Sequence, residues 1–260
     1  MSMLSIAERH KYILDSLEKY GFIRITDIAE ELKVTKVTIR KDVKILESRG
    51  LLYKVHGSAR PVNPHVADRD LSTKSNLNRE AKSLIAKCAA ELIEDNDSIM
   101  ISAGSTTYAL AEVICNTMPQ RPLNVVTPFL KLSVLMNDMD NVRVEQLGGK
   151  VHRKSCSTMG ESAERALTDM VCSKFFLGVD GIDPDYGITT STIEEALLSR
   201  RMMDVASRTV VLADSSKFGQ HGFGRINSLE DVDVIITDSG IAPQMRKLIE
   251  KAGVQLIIAE

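Results

Sequence analysis

Near the start of the chain, apolar and polar positions alternate with a helical period in two adjacent runs. In the first, Asp27 to Leu32, Ile28 and Leu32 stand one turn apart behind Thr26, a candidate N-cap. In the second, Thr35 is the candidate N-cap, and the period continues to Ser48 before Gly50 stops it. Ile39, Val43 and Leu46 fall on one face of this second helix at i, i+4 and i+7. An earlier helix opens at Ser5-Ile6-Ala7-Glu8, which has the form of a capping box, buries Ile13, Leu14 and Leu17, and ends at Gly21. Phe22–Ile25 and Leu51–Val55 read as short strands. His56-Gly57-Ser58-Ala59-Arg60 reads as the tip and return of a two-stranded wing. Three helices and a hairpin predict a winged helix-turn-helix over residues 1–60.

Residues 61–78 hold two prolines and three asparagines with no sustained period, and are expected to be a linker. Beyond Arg79 the period switches repeatedly. Strand-like runs recur at Ser98–Ser102, Leu123–Thr127, Val142–Leu147, Lys174–Val179, Thr209–Ala213, Val232–Thr237 and Val254–Ala259. An amphipathic helix, Arg79 to Glu94, precedes them, and helical stretches lie near 106–118, 128–137, 161–171, 193–206 and 242–252. Such alternation predicts an α/β domain over residues 79–260, doubly wound around a mostly parallel sheet.

Charge separates the two parts. Residues 1–60 carry 12 Lys and Arg against 8 Asp and Glu, a net of +4, and the remaining 200 carry 21 against 27, a net of −6. Only the N-terminal module has the electrostatics to sit on phosphate. The 43% hydrophobic and 26% charged content is that of a globular protein. No apolar run approaches the roughly 20 residues that span a bilayer, and no signal-peptide pattern opens the chain, so a cytoplasmic protein without a membrane partner is expected. Cys88, Cys115, Cys156 and Cys172 show no CxxC or Cys/His ligand spacing, which points to no metal and no cofactor. Cys88 and Cys115 fit small core positions, and Cys156 has basic neighbours in a polar loop.

The second helix of the N-terminal pair carries Lys36, Val37, Arg40, Lys41 and Lys44 opposite its apolar face. A helix with an apolar anchor behind and cations in front suits the major groove of DNA, with Val37 and Thr38 nearest base edges and His56 at the wing tip. In the larger domain, ligands are expected beyond the carboxyl ends of the strands. Ser102-Ala103-Gly104-Ser105-Thr106-Thr107 follows a strand and opens a helix, an arrangement that favours an anion. Thr127, Gly148 and Gly149 end two further strands. Asp180-Gly181-Ile182-Asp183 offers two carboxylates for hydroxyl groups, and Asp214-Ser215-Ser216-Lys217 offers a cation for a phosphate. Together they suggest a phosphorylated sugar or polyol.

The whole chain resembles the DeoR-type family of sugar-responsive bacterial transcription regulators. The resemblance rests on Val37-Thr38-Ile39-Arg40-Lys41-Asp42, Leu46-Glu47, Gly50 and His56-Gly57-Ser58-Ala59 in the first module. In the second it rests on Ala103 to Thr107, Val125-Val126-Thr127, Leu147-Gly148-Gly149, Gly178 to Asp183 and Leu212 to Gly219. It implies a homo-oligomeric repressor, dimer or tetramer, released from double-stranded operator DNA by a phosphorylated sugar intermediate. Where the family commonly continues Val-Thr with Asn-Ser, this chain has Pro128-Phe129, which removes one polar ligand contact. The larger domain also resembles ribose-5-phosphate isomerase, and Glu194 falls roughly where that enzyme places its catalytic glutamate. The enzyme's preceding lysine and glycine run is replaced by Asp185-Tyr186-Gly187-Ile188. The expectation is therefore a binding pocket with no catalytic residues, and a sugar-phosphate isomerase is the alternative.

Overall fold

The computed structural model describes residues 4–55, 57–60 and 70–260. Helix α1 (Ile6–Tyr20) starts at the expected capping box: the Glu8 amide donates to Ser5 Oγ at 3.3 Å, and the Ser5 amide donates to the Glu8 carboxylate at 2.8 Å. Gly21 ends it in the left-handed region. Strand β1 (Ile23–Arg24) runs directly into α2 (Ile25–Glu31), and α3 (Lys36–Ser48) follows. Thr35 caps α3 as expected, its hydroxyl accepting from the Thr38 amide at 3.2 Å. Thr26 is not a cap. Helix α2 begins at Ile25, because Ile25 and Ile28 enter the core together, and the Thr26 hydroxyl bonds Asp27 instead. Strands β2 (Tyr53–Val55) and β3 (Ser58–Arg60) build the wing in the order β1-β3-β2, around a core of Ile13, Ile23, Ile39, Val43, Leu46 and Ala59.

The stretch expected to be a linker is not all connection. Residues 61–69 lie outside the described part, but α4 (Leu71–Asn76) is a helix whose Leu71 packs into the core of the larger domain. One buried leucine in six residues is too little to register as a period. Then come α5 (Arg79–Ala90), β4 (Ser98–Ile101), α6 (Ser105–Thr117), β5 (Leu123–Thr127), α7 (Leu130–Met136) and β6 (Val142–Gln146). A short antiparallel pair, β7 (Lys150–His152) and β8 (Ser157–Met159), precedes α8 (Glu161–Ala166) and β9 (Lys174–Gly178). The chain continues through β10 (Gly181–Asp183), β11 (Gly187–Thr190), α9 (Ile193–Asp204), β12 (Thr209–Leu212) and β13 (Gly224–Asn227). It closes with β14 (Val234–Asp238), α10 (Pro243–Lys251) and β15 (Gln255–Ala259).

Among the described residues, seven strands pair in parallel in the order β15-β14-β12-β9-β4-β5-β6, and they match the seven runs read from the sequence. Successive residues feed opposite faces. Met100, Phe175, Val211 and Ile235 enter one apolar layer, whereas Ile99, Phe176, Val210 and Val234 enter the other. The winding reverses between β4 and β9, so a crevice opens beyond their carboxyl ends. Beside it, β10, β11 and β13 form a small antiparallel sheet.

The winged helix packs on this second domain at two places. Phe22, 2% exposed, joins the layer that contains Phe218 and Ile182. There Gly21 and Gly219, both at positive φ, approach so closely that a Cβ on Gly21 would lie 2.9 Å from the Phe218 carbonyl oxygen. At the end of the wing, the Arg60 side chain is fully buried among Asp183, Asp185 and Tyr186.

A buried carboxylate tests the sheet's lower edge. Asp97 accepts from the Lys174 ammonium at 2.6 Å, the Ser173 hydroxyl at 2.8 Å and the Glu94 amide at 2.8 Å. Burial would raise its carboxyl, but Lys174 and the other donors outweigh that and hold it below the usual carboxylate range. A lowered folded-state pKa contributes stability that is complete above the unfolded value and lost as pH falls through the folded one. Asp97→Asn is expected to cost about 1–3 kcal/mol at neutral pH. The gap to the parent should close below about pH 4. Urea titrations at pH 7 and pH 3 measure both, and an equal gap at the two pH values contradicts the assignment.

Candidate functional site

The face of α3 that meets the core is held by more than apolar contacts. Asp42, 3% exposed, accepts from Arg9 Nε at 2.8 Å and Nη2 at 3.2 Å, and its Oδ1 lies 3.3 Å from His10 Nε2. That buried cluster fixes α1 against α3 and raises the Arg9 pKa through the bond to Asp42. Its consequence lies on the opposite side, where Lys36, Val37, Arg40, Lys41 and Lys44 are all exposed. Val37 is 57% exposed, a large apolar side chain offered to solvent in the middle of four cations. Thr38 differs from expectation. It is half-buried, and its hydroxyl sits 2.9 Å from that of Thr35, so it helps to close the helix start. His56 lies outside the described residues.

The second site forms where β4 and β9 part. Ser102 Oγ accepts from the Gly178 amide at 2.9 Å and ties the two strand ends together. Helix α6 then opens at Gly104 with no side-chain cap, so the first-turn N–H groups of a thirteen-residue helix face the crevice. Gly104, Ser105 and Thr106 line it with Gly178, Asp180, Lys217, Thr190, Glu195 and Lys74. Asp180 is buried, and Lys74 on α4 donates to its Oδ1 at 2.6 Å. Burial pushes the Asp180 carboxyl up, yet Lys74, Lys217 and Ser191 overcome that and hold it below the usual carboxylate range. Lys217 stands at the end of a 3-10 turn, Ser215–Lys217, whose cap Asp214 accepts from Ser216 N at 3.2 Å and from Asn78 Nδ2 at 2.7 Å. The crevice has a volume of about 30 Å³. On the other side of α4 a wider hollow of about 520 Å³ is lined by Ser75, Arg79, Lys82, Ser105 and Tyr108, among others.

Five expected ligand residues do not line this crevice. Thr107 donates to the Ser102 and Gly104 carbonyls at 2.8 and 3.1 Å, which stabilises the loop. Thr127 is fully buried, donating to the Ile101 carbonyl and accepting from the Phe129 amide. Gly148 and Gly149 form an exposed turn, and Gly149 packs on the backbone of Met159. Asp183 is the largest departure. It is fully buried, accepts from the Asp185 and Tyr186 amides, and forms an ion pair with Arg60 of the wing. Its Oδ1 accepts from those two amides and from Arg60 Nη2, and its Oδ2 lies against the same guanidinium.

Lys74, Thr190 and Glu195 were missed. Lys74 sits in the stretch read as linker. Glu195 had a legible signal, since it lies at i, i+4, i+7 with Ser199 and Met202, both buried, and is itself half-buried, whereas Glu194 is exposed. Glu194 is not among the residues that line the crevice.

Residues 77–239 match the family model described as the DeoR C terminal sensor domain, and residues 9–65 match that of the DeoR-like helix-turn-helix domain. Among curated proteins, the chain is 32% identical to an Escherichia coli O157:H7 protein named for transcriptional repression of an aga operon, over 97% of this chain and 93% of that one. It is 33% identical to the lactose phosphotransferase system repressor of Streptococcus mutans serotype c, over 93% and 95%. Among solved structures, ribose 5 phosphate isomerase A from Neisseria gonorrhoeae aligns at 17% identity with a TM-score of 0.40, over 57% of this chain and 55% of that one. At that level the likeness bears on neither reaction nor ligand. No helix of the described residues is long and apolar enough to cross a membrane.

Two substitutions separate the sites. Arg40→Ala is expected to abolish specific operator binding while leaving stability within about 0.5 kcal/mol of the parent, as for other exposed positions. Gel-shift titration at fixed salt tests it, and an unchanged affinity removes α3 from the reading role. Arg60→Met leaves Asp183 buried beside one fewer cation, so unfolding in urea should show a loss of about 3–5 kcal/mol. A loss below about 1 kcal/mol would mean that the wing is not anchored there.

Proposed function

The chain belongs to the DeoR family and is a DNA-binding transcriptional regulator of the repressor type, and from that premise we propose how it is controlled. A phosphorylated sugar, or an effector derived from one, binds in the crevice between β4 and β9 and releases the protein from its operator. The observation that carries this reading is one geometric fact. The uncapped start of α6, the Lys217 turn and a buried carboxylate converge at the point where the sheet reverses its winding. Amide N–H groups and an ammonium suit a phosphate, and Asp180 suits hydroxyls. The residues assigned to the effector are thus Gly104, Ser105, Thr106, Asp180 and Lys217. On the DNA side, Arg40, Lys41 and Lys44 meet groove and backbone, with Val37 nearest the bases.

The pocket binds without catalysing. An aldose–ketose isomerase needs a free base and a polarising group beside the carbonyl. Here Asp183 is committed to Arg60, Asp180 is paired with Lys74, and Glu194 is exposed and outside the crevice lining, so Glu195 is the carboxylate that a catalytic role would have to use. The relatives named for repression of an aga operon and of a lactose phosphotransferase system support a role in carbohydrate metabolism. A single winged helix makes few contacts, so the protein acts as a homo-oligomer, dimer or tetramer, on repeated half-sites in cytoplasmic DNA.

A thermal-shift screen of phosphorylated sugars identifies the effector, because a bound ligand stabilises the fold by RT ln(1 + [L]/Kd). With that compound in hand, Lys217→Ala should weaken its binding by about one to two decades, as expected for a charged hydrogen bond. The variant should keep its operator affinity and lose its response. Calorimetry showing parental effector affinity in both Lys217→Ala and Ser105→Ala would refute the assignment of this crevice.

A further inference from the structure

The crevice assigned to the effector contains a cation that the chain itself brings to it. Lys74 reaches in from α4, the short helix that follows the stretch between the domains, and its ammonium lies 2.6 Å from Asp180 Oδ1. The pair is largely withdrawn from water, the two side chains being 20% and 7% exposed. With Lys74 in place the crevice measures about 30 Å³, enough for one or two waters, whereas ligand pockets measure roughly 300–1,000 Å³. Room exists next door. The hollow of about 520 Å³ is lined by Ser75 and Asn76, the residues that follow Lys74 on α4, and it shares Ser105 with the crevice. Ser105, at the start of α6, borders both spaces, and Lys74 closes the smaller one on the side of α4.

We propose that Lys74 is an effector-binding residue that acts by exchange of partners: its ammonium sits on Asp180 until an effector phosphate at Gly104–Thr106 takes it over, which frees Asp180 for a sugar hydroxyl. The proposal rests on the reading of this crevice as the effector site. The helix is built to allow the exchange. Its backbone is fixed at both ends, by Leu71 in the core with its amide on the Lys154 carbonyl, and by the Lys82 ammonium bonded to the carbonyls of Lys74 and Leu77. The Lys74 side chain is thus free to turn on an anchored backbone. A long, flexible ammonium is suited to that, since its point charge bonds a carboxylate or a phosphate equally well. A phosphate carries nearly two charges near neutral pH, so it outcompetes a single carboxylate for the ammonium. Ligand selection follows as well: a neutral sugar offers nothing to draw Lys74 away and finds the crevice closed.

Inorganic phosphate, titrated into the full-length protein against chloride at equal ionic strength, serves as the probe. Four proteins are compared with the parent: Lys74→Met, Lys217→Met, Asp180→Asn and the double variant Lys74→Met/Asp180→Asn. Lys74→Met should weaken phosphate binding about ten- to hundred-fold. Asp180→Asn should tighten it, because Lys74 no longer has to leave a carboxylate, and that gain should shrink in the Lys74→Met background. A gain of equal size in both backgrounds would overturn the exchange, because it would then reflect only the removal of a negative charge. Parental affinity in Lys74→Met with a loss in Lys217→Met overturns the role of Lys74 and leaves the crevice assignment standing. Parental affinity in both lysine variants, or no phosphate binding by the parent, overturns both. Should Lys74→Met fold poorly, Lys74→Gln keeps a polar side chain in place and must show the same loss.

Discussion

A guanidinium removed completely from water is among the costliest groups a fold can bury, and it is tolerated only where anions meet it. Arg60 is in that position, with Asp183 fully buried beside it, Asp185 Oδ2 2.7 Å from its Nη2 and the Tyr186 ring 5.6 Å from its Cζ. The residue ends β3, the central strand of the wing, and its neighbour Ala59 belongs to the core of the winged helix. Period two along one strand thus serves two domains: Ala59 faces inward to the DNA-binding core, and Arg60 faces the larger domain. The wing cannot separate from that domain without breaking this buried ion pair. Where the DNA-binding module sits is set by this ion pair together with the Phe22 contact.

The same ion pair joins the wing to the crevice. Asp180 and Asp183 belong to one short segment, with Gly181 pressed onto the Gln220 backbone and Ile182 fully buried between them. Ile182 accepts from the Gly219 amide at 2.8 Å, so this segment is bonded to the loop that follows Lys217. That loop in turn holds Gly21 and Phe22. Both loops that carry charged crevice residues therefore end on the winged helix, at separate points. A ligand shifts a conformational equilibrium only by its differential affinity for the two states. Asp180 and Lys217 are each joined to the winged helix through few bonds, which is the route that such a difference would take.

What the sequence made legible follows from length and amphipathicity. Within the main sheet, β4, β9, β12 and β14 carry apolar runs buried on both faces, the edge strand β6 alternates instead, and the longer covering helices have their own period, so the succession of elements was readable. Helix α3 was readable for the same reason, with a clean cap at Thr35. The strands β10, β11 and β13 are three or four residues long and each opens on a glycine with a single isoleucine, so neither an apolar run nor a period shows. Within the site, residue type was informative and direction was not. Asp180 and Asp183 are equivalent in the motif, yet they lie on opposite sides of a buried isoleucine, one at the crevice and one at the wing. Glu194 and Glu195 differ by a 100° turn of α9, which decides which one is exposed. Lys74 carried no local signal, since its meaning depends on Asp180, more than a hundred residues later.

A module of about sixty residues buries little surface and is marginal alone. Here part of its stabilising contact lies outside it, since Phe22 is packed among side chains of the larger domain rather than in the core around Ile39 and Val43. Folding stability and regulation then draw on the same contacts. A change at the crevice that loosened Phe22 or Arg60 would alter how firmly the winged helix is held on the larger domain. The Arg9–Asp42–His10 cluster keeps the geometry within the module intact meanwhile. Rigidity inside the winged helix and its anchorage to the larger domain are different requirements, and the chain meets them with separate groups of residues.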